Sequence, residues 1–275
     1  MQDNGYTPIM TVLLAQPSET ALPESGWAAL EAELDIWQSA GRVASFWWRD
    51  DDAVTDTPAL DRLLAIAEDV PLGLAAIPAK VETALARRVV HVPSVAVLQH
   101  GWRHANHAGP GARKSEFGAE RPLAERLEDL RLGRARLRSV FGGKALSVLV
   151  PPWNRIGADL VPRLPEIGIG GLSVTDSREA ATPTAGVTMV PVQADLVDWR
   201  GSRGFIGEAK ALGLMLGHLR RRFLGTLDAD GPTGILTHHL VQDPDTERFL
   251  RRFLSIARRH PAAAFVPISA LFPEP

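Results

Sequence analysis

The chain has 275 residues, of which 45% are hydrophobic and 23% are charged, enough apolar material for the core of a globular domain. It contains no cysteine, which excludes disulfides and thiolate metal sites, so any metal ion must be held by His, Asp or Glu. The formal net charge of -2 provides no global positive field, which argues against nucleic acid or an anionic membrane as a partner.

Residues 1–25 are predicted to be an N-terminal extension of a single domain that spans residues 26–275. The extension lacks a basic n-region, and its apolar stretch at residues 9–15 is too short for a signal peptide. No stretch of the chain approaches the roughly 20 apolar residues that a bilayer-spanning helix needs. We therefore expect a cytoplasmic protein without a membrane span.

A first helix is predicted for residues 26–40, where apolar side chains recur at helical spacing. A second helix is predicted after Thr57, which would act as its N-cap with Pro58 at the first helical position. A longer helix is predicted for residues 122–142, which open with a proline and close on a glycine. The run HLRRRF at residues 218–223 is interpreted as the solvated face of a further helix.

Short apolar runs alternate with these helices and show no polar face, which is typical of parallel strands buried on both sides. The pattern predicts a closed or nearly closed (β/α) barrel, with a doubly wound open sheet as the alternative. The seven runs are VASFWW from Val43, LGLAAI from Leu72, SVAVLQ from Ser94, ALSVLV from Ala145, GLSV from Gly171, GILTH from Gly234 and AAFVPI from Ala263.

The candidate chemical groups follow these strands, at the end where barrels and open parallel sheets place their sites. They are Asp50, Asp51 and Asp52 after the first strand, His100, His104 and His107 after the third, VPPWNR at the end of the fourth, and His238 and His239 in the late strand segment.

His100 and His104 are four residues apart, a spacing that brings both rings to one side of a turn or short helix. Taken alone, an aspartate at a strand end is more typical of a turn, and a single histidine of a packing role. Together, two imidazoles and one carboxylate suit zinc or another divalent transition metal such as cobalt, and leave positions open for water and substrate. A second carboxylate nearby is then available to accept a proton.

Three tryptophans, Trp102, Trp153 and Trp199, stand in polar, turn-rich segments, where an amphipathic ring either packs or lines a ligand cleft and stacks on a sugar. Two long connections at residues 105–122 and 176–187 are rich in Gly, Pro and polar residues, which is typical of functional or disordered loops. The first of them leaves directly from the histidine segment and is a candidate substrate lid.

In content and in order, five segments resemble the motifs of the polysaccharide deacetylase superfamily, also known as carbohydrate esterase family 4 or the NodB homology fold. RDDDA resembles the family's Thr-Phe-Asp-Asp-Gly, and HGWRH its His-Ser/Thr-x-x-His. VPPWN resembles Arg-x-Pro-Tyr/Trp-Gly, DLVDW resembles Asp-x-x-Asp-Trp, and ILTHH resembles Leu-x-His. The resemblance covers about residues 43–240 and implies a deformed (β/α) barrel with about seven parallel strands.

The resemblance implies a metal site formed by Asp52, His100 and His104. Asp51 would be the general base for the attacking water. Val150 stands where the family motif has an arginine that contacts this base, so the chain is identified as a divergent member. If the mechanism is kept, Arg49, Asn154 or Arg155 has to supply that contact.

For the leaving amine, the resemblance implies His238 as the general acid, with His239 the close alternative, and Asp198 as the group that orients His238 or a neighbour. The residues expected to shape the substrate cleft are Trp102, Pro152, Trp153 and Trp199.

The predicted activity is the metal-dependent removal of an N-acetyl or related acyl group from a carbohydrate or a similar amide, by a hydrolase acting on carbon–nitrogen bonds. Two alternatives stay open. One is a non-catalytic carbohydrate-binding or regulatory protein on the same barrel, which the missing arginine favours. The other is a hydrolase of small non-sugar amides.

Overall fold

The computed structural model describes residues 26–175, 184–228 and 230–273. The extension predicted for residues 1–25 and most of the loop predicted at residues 176–187 lie outside these ranges. No helix in the described ranges is long and apolar enough to cross a membrane.

The helices begin and end close to the signals in the sequence. Thr57 caps the second helix, since its Oγ1 accepts a hydrogen bond from the N–H of Leu60 at 3.1 Å. The long fourth helix stops at Gly142, which has a φ of 56°. The described α-helices are α1 (Gly26–Ser39), α2 (Pro58–Ala67), α3 (Thr83–Val89), α4 (Leu123–Phe141), α5 (Glu208–Phe223), α6 (Pro244–Arg259) and α7 (Ile268–Leu271).

The described strands form one sheet in which every pairing is parallel. They are β1 (Ala44–Ala53), β2 (Leu72–Ala76), β3 (Val95–His100), β4 (Ala145–Val150), β5 (Gly171–Leu172), β6 (Thr188–Met189), β7 (Ala194–Asp195), β8 (Thr233–Thr237) and β9 (Ala263–Phe265). The order is β6-β5-β4-β3-β2-β1-β8-β7, and β9 also pairs with β1. This curled sheet with helices around it confirms the deformed (β/α) barrel, and all seven predicted runs contain strands.

The central strand, β1, sends alternate side chains to opposite faces of the sheet. Trp47 packs in the apolar cluster that β1 shares with β2, β3, β4 and β8, and its ring meets Phe272 edge-on. Phe46 and Trp48 belong to the larger cluster under the surrounding helices, where Phe46 contacts Phe253 of α6. Both tryptophans are fully buried. The same alternation continues into the polar residues at the end of β1 and decides which partners each of them meets.

Candidate active site

Three potential metal ligands converge at the carboxyl ends of β1 and β3. Asp52 Oδ1 lies 3.1 Å from Nε2 of His100 and 3.4 Å from Nε2 of His104. Each of the three residues offers one potential ligand atom, and these three atoms all lie within 4.8 Å of one another. The structure therefore brings together the three residues that the sequence predicts as ligands.

Backbone conformation at two of these residues supports a constrained site. Asp52 and His104 have positive φ angles of 73° and 55°, which L-residues other than Asn and Asp adopt infrequently. The β1–β2 register shifts between Asp50 and Ala53, so Asp52 leaves the regular pleat of the strand. Such conformations cost about 1–3 kcal/mol each and are concentrated at functional sites, where the surrounding structure enforces them.

The hydrogen bond of His100 and the protonation preferences of Asp52 and His104 fit a cation. Nδ1 of His100 lies 3.0 Å from the carbonyl oxygen of Val150, so this nitrogen donates and Nε2 faces Asp52 with its lone pair. Burial opposes ionisation of Asp52, but the neighbouring His100, His238 and His104 hold the pKa of its carboxyl well below the usual range. Burial and the charge of His100 lower the pKa of His104, which favours its neutral ring.

An unsatisfied atom adds to this fit. Asp52 Oδ1 is buried and has no hydrogen-bond partner among the described residues, although two imidazole nitrogens approach it. A buried carboxylate oxygen without a partner is costly, and a divalent ion between these donors would satisfy it. The ligand set of two imidazoles and one carboxylate suits zinc and other divalent transition metals.

Asp51 faces the inside of the barrel and is held by Arg49, two residues earlier on the same strand. Nε of Arg49 lies 2.9 Å from Asp51 Oδ1, and Nη2 donates to Oδ2 at 3.1 Å. Both side chains are almost completely buried. A paired contact of this kind fixes the orientation of a carboxylate as well as its charge.

Arg49 is itself fixed by two neutral groups. Its Nη2 also donates to Asn154 Oδ1 at 2.7 Å, and its Nη1 donates to Ser173 Oγ at 2.8 Å. Of the three residues that sequence reasoning offered as substitutes for the missing arginine, Arg49 contacts Asp51 directly and Asn154 acts on Arg49. The third, Arg155, points elsewhere and donates to the carbonyl oxygen of Lys114.

His238 lies across the site from Arg49, between two carboxylates. Its Nε2 is 4.0 Å from Asp51 Oδ2, and its Nδ1 is 4.0 Å from Asp195 Oδ1. Trp199 covers the ring edge-on at 4.7 Å and donates from its Nε1 to Asp195 Oδ2 at 2.8 Å. Burial raises the pKa of Asp195, and the charge of His238 counteracts that shift.

This geometry corrects the role predicted for Asp198. The carboxylate of Asp198 accepts hydrogen bonds from the backbone N–H groups of Gly201 and Ser202, at 3.1 Å and 3.3 Å, and so caps its own turn. The carboxylate beside His238 is that of Asp195, the first aspartate of the same motif. Sequence spacing alone could not choose between the two aspartates.

His239 differs from His238 in the carboxylate that it contacts. Its Nδ1 lies 2.5 Å from Oδ1 of Asp50, whose Oδ2 accepts from Thr237 Oγ1 at 2.6 Å and from the N–H of His239 at 3.0 Å. Burial favours a neutral ring, but Asp50 raises the pKa of His239 above its ordinary value. His239 is therefore committed to a buried ion pair with Asp50, and His238 is the histidine that approaches Asp51.

Glu116 is a site residue that sequence reasoning missed. Its carboxylate is buried under the turn that carries the candidate metal histidines, and it accepts from the N–H groups of Trp102 at 3.2 Å, Arg103 at 2.7 Å and Ala105 at 3.4 Å. Ser115 and Phe117 beside it are also buried. The lid predicted for residues 105–122 is therefore wrong for these three residues, which are packed into the domain.

The predicted cleft residues divide into two groups. Trp153 packs against His104 with ring centroids 4.5 Å apart, and Trp199 is 44% exposed above His238. Trp102 instead packs against the apolar cluster of Phe117, and Pro152 is buried. The structure thus brings Trp153 beside His104 and Trp199 beside His238, and gives Trp102 and Pro152 packing positions.

No protein-family model and no curated protein sequence matches the chain. Several solved structures share its fold. A T48 deacetylase with substrate is 16% identical, with a TM-score of 0.52 over 83% of this chain and 90% of that one. The Bc1960 peptidoglycan N-acetylglucosamine deacetylase is 15% identical, with a TM-score of 0.52 over 86% and 96%.

A third similar structure is a chitin deacetylase from the fungal pathogen Colletotrichum lindemuthianum. It is 13% identical, with a TM-score of 0.50 over 85% of this chain and 89% of that one. At such low identities the similarity extends to the fold, and the chain has the fold of the polysaccharide deacetylases.

Proposed function

We propose that this protein is a metal-dependent hydrolase that removes an N-acetyl or related acyl group from a carbohydrate or a similar amide. The observation that carries the proposal is the division of two adjacent aspartates between two tasks. Asp52 turns toward His100 and His104, whereas Asp51 turns toward Arg49 and His238. Metal-assisted hydrolysis of an amide uses both a Lewis acid and a positioned base, and the two carboxylates match these two roles.

Asp52, His100 and His104 would hold the ion. When bound there, a divalent metal such as zinc or cobalt supplies Lewis-acid chemistry, which polarises the acyl carbonyl and activates a water molecule. Asp51 would accept the proton of the attacking water while the oxygen of this water bonds to the carbonyl carbon. Arg49 orients the Asp51 carboxylate, because its Nη2 donates to Oδ2 at 3.1 Å and its Nε forms an ion pair with Oδ1 at 2.9 Å.

The carbon–nitrogen bond then breaks, and the leaving nitrogen needs a proton. His238 is the candidate donor because it lies at the mouth of the site within 4.0 Å of Asp51. The carboxylate of Asp195 lies on the far side of the ring, with Oδ1 4.0 Å from Nδ1 of His238. The products are the free carboxylic acid and the amine.

The non-catalytic alternative rested on the absence of the family arginine. Arg49 contacts Asp51 from β1 in this chain, so Asp51 keeps an arginine partner although Val150 occupies the motif position. We therefore favour the enzyme. The substrate class is supported by the exposed Trp199 and the partly exposed Trp153, whose flat rings suit the apolar face of a sugar.

Metal content and acetate release test the proposal together. We expect zinc- or cobalt-reconstituted protein to bind about one ion and to release acetate from acetylated chito-oligosaccharides. His104→Ala should lose both, and His107→Ala, which changes an exposed histidine on the same loop, should keep both. Asp51→Asn should keep the metal and lose acetate release by about 100-fold or more.

Negligible metal in the reconstituted wild type would contradict the metal site. Full activity of Asp51→Asn would remove Asp51 as the base. A panel of small non-sugar amides, run beside the saccharides, separates the two substrate classes.

A further inference from the structure

Three cationic side chains gather on one side of the candidate site, and we call Arg113, Lys114 and Arg155 the cation cluster. Nζ of Lys114 lies 5.9 Å from the ring centroid of Trp153, and this ring also packs against that of His104. Arg155 joins the cluster through a hydrogen bond from its Nη1 to the carbonyl oxygen of Lys114 at 2.8 Å. One aromatic ring therefore separates the cation cluster from a metal ligand.

The cation cluster has no compensating acid. Among the described residues, no carboxylate lies within ion-pair distance of any of its three members. Residues 101–115 contain no Asp or Glu at all. The first acid after them, Glu116, is buried and takes its hydrogen bonds from backbone N–H groups.

Like charges held together are unfavourable unless an anion joins them. Partial burial lowers the pKa of Arg155, and the charge of Arg113 lowers it further, which shows that these two guanidinium groups repel each other. Other arginines of this chain sit in ion pairs, such as Arg121 with Asp129 and Arg126 with Asp159. An unpaired group of three cations beside a cleft is the arrangement that attracts and orients an anionic ligand.

We propose that the cation cluster binds an anionic group of the substrate, a carboxylate or a phosphate, while Trp153 stacks on the sugar ring between that group and the scissile amide. The substrate class is then an acylated amino sugar in an acidic saccharide. This inference rests on the proposed function for the location of the scissile bond. Arginine guanidinium groups recognise carboxylate and phosphate through paired hydrogen bonds, which accounts for two arginines in the cluster.

Binding to metal-depleted protein tests this inference without any turnover. Isothermal titration calorimetry would compare a neutral acetylated chitotriose with the same trisaccharide carrying C6 carboxylates or a 6-phosphate. At low ionic strength we expect the charged ligands to bind about tenfold more tightly than the neutral one. The double variant Arg113→Gln/Lys114→Gln should lose this preference and leave the affinity for the neutral trisaccharide unchanged.

A matched control is Arg138→Gln, which neutralises an exposed arginine in the last turn of α4, at the opposite end of the barrel. It should retain the full preference. Raised salt should reduce the preference in wild type and have little effect in the double variant.

Equal affinity for the charged and neutral ligands, or no binding of either charged ligand, would overturn the inference, as would a preference that survives in the double variant. Preference for only one of the two anions identifies the carboxylate or the phosphate as the recognised group. Since no hydrolysis is measured, failure of acetate release would contradict the proposed function without affecting this binding result.

Discussion

Arg49 and Asp51, two residues apart on β1, form a buried ion pair in which each carboxylate oxygen meets a different guanidinium nitrogen, at 2.9 Å and 3.1 Å. The spacing follows from the strand, because residues i and i+2 project from the same face. A single strand therefore carries both the candidate base and the cation that orients it. The fourth strand, where the family motif places its arginine, contributes the backbone carbonyl of Val150, which faces Nδ1 of His100.

Replacing the cation of this pair should separate catalysis from metal binding. In Arg49→Met the Asp51 carboxylate stays buried without its partner, so we expect kcat to fall by about 100-fold or more and the free energy of unfolding to drop by about 3–5 kcal/mol. Metal content should stay at the wild-type level because Asp52, His100 and His104 are unchanged. Steady-state kinetics, metal analysis and urea unfolding measure the three quantities.

Arg49→Lys provides the variant that keeps the charge and loses the paired geometry. It should fold, and its kcat should lie between those of wild type and Arg49→Met while KM changes little. A wild-type kcat in Arg49→Lys would show that the paired contact has no part in the reaction.

Removing the charge of Glu116 should lower the metal affinity, because Glu116 supports the turn that carries His104. Its carboxylate accepts three backbone N–H groups of the turn between His100 and Ala105, so Glu116→Gln replaces a charged acceptor by a neutral one. We expect the affinity for zinc to fall about 10-fold to 100-fold, as for other groups that orient metal ligands indirectly. Titration with zinc measures this, and Glu120→Gln, an exposed residue of the same loop, is the control that should bind normally.

Gly101 should not tolerate a side chain. It has a φ of 61°, and a Cβ placed on it would collide with Oε2 of Glu116 and approach Cγ and Cδ of Pro152 to 2.7 Å. Gly101→Ala should lower the free energy of unfolding by about 1–3 kcal/mol and reduce metal affinity. Gly109→Ala, where a Cβ meets nothing within 4 Å, should resemble wild type in both measurements.

His218 should make stability depend on pH, far from the site. Burial, with the charges of Arg222 and Arg221, lowers its pKa from 6.5 to about 4. The unfolded chain therefore takes up a proton at higher pH than the folded protein. The contribution of His218 to the free energy of unfolding is fully present above pH 6.5 and is lost as the pH falls toward 4. The loss is about 1.4 kcal/mol per pH unit in that window.

Urea unfolding at several pH values measures this dependence. His218→Asn keeps a polar group near Thr233 Oγ1, which His218 Nδ1 approaches at 2.9 Å, and should flatten the curve between pH 6.5 and 4. The exposed His91→Asn should leave the curve unchanged. An identical curve in His218→Asn would assign the pH dependence to other groups.

The sequence predicted those parts of the fold that have a local pattern. Each of the seven apolar runs contains a strand, whereas β6 and β7, two residues long each, carry no periodicity and were missed. The arginine run at residues 218–223 was read as solvated, but a helix turns consecutive residues to different sides. Arg222 is buried and donates to the carbonyl oxygen of Ser45 at 3.0 Å.

The candidate site was predictable to the extent that its residues follow strands. Asp52, His100 and His104 come together because parallel strands end at one edge of the sheet. Glu116 could not be found in this way, since it lies 14 residues from Trp102 in a loop and acts through backbone N–H groups that no sequence pattern records. The choice of Asp195 over Asp198 likewise depends on the path of the loop.

The three consecutive aspartates of β1 each have their own basic partner. Asp50 turns outward to His239, Asp51 inward to Arg49, and Asp52 leaves the pleat toward His100 and His104. Because the assignment depends on alternation along one strand, deleting a single residue upstream in β1 would shift all three carboxylates to the wrong partners at once. The spacing of this segment is therefore under a stricter constraint than its composition, and a change of length in β1 should be more damaging than any conservative substitution there.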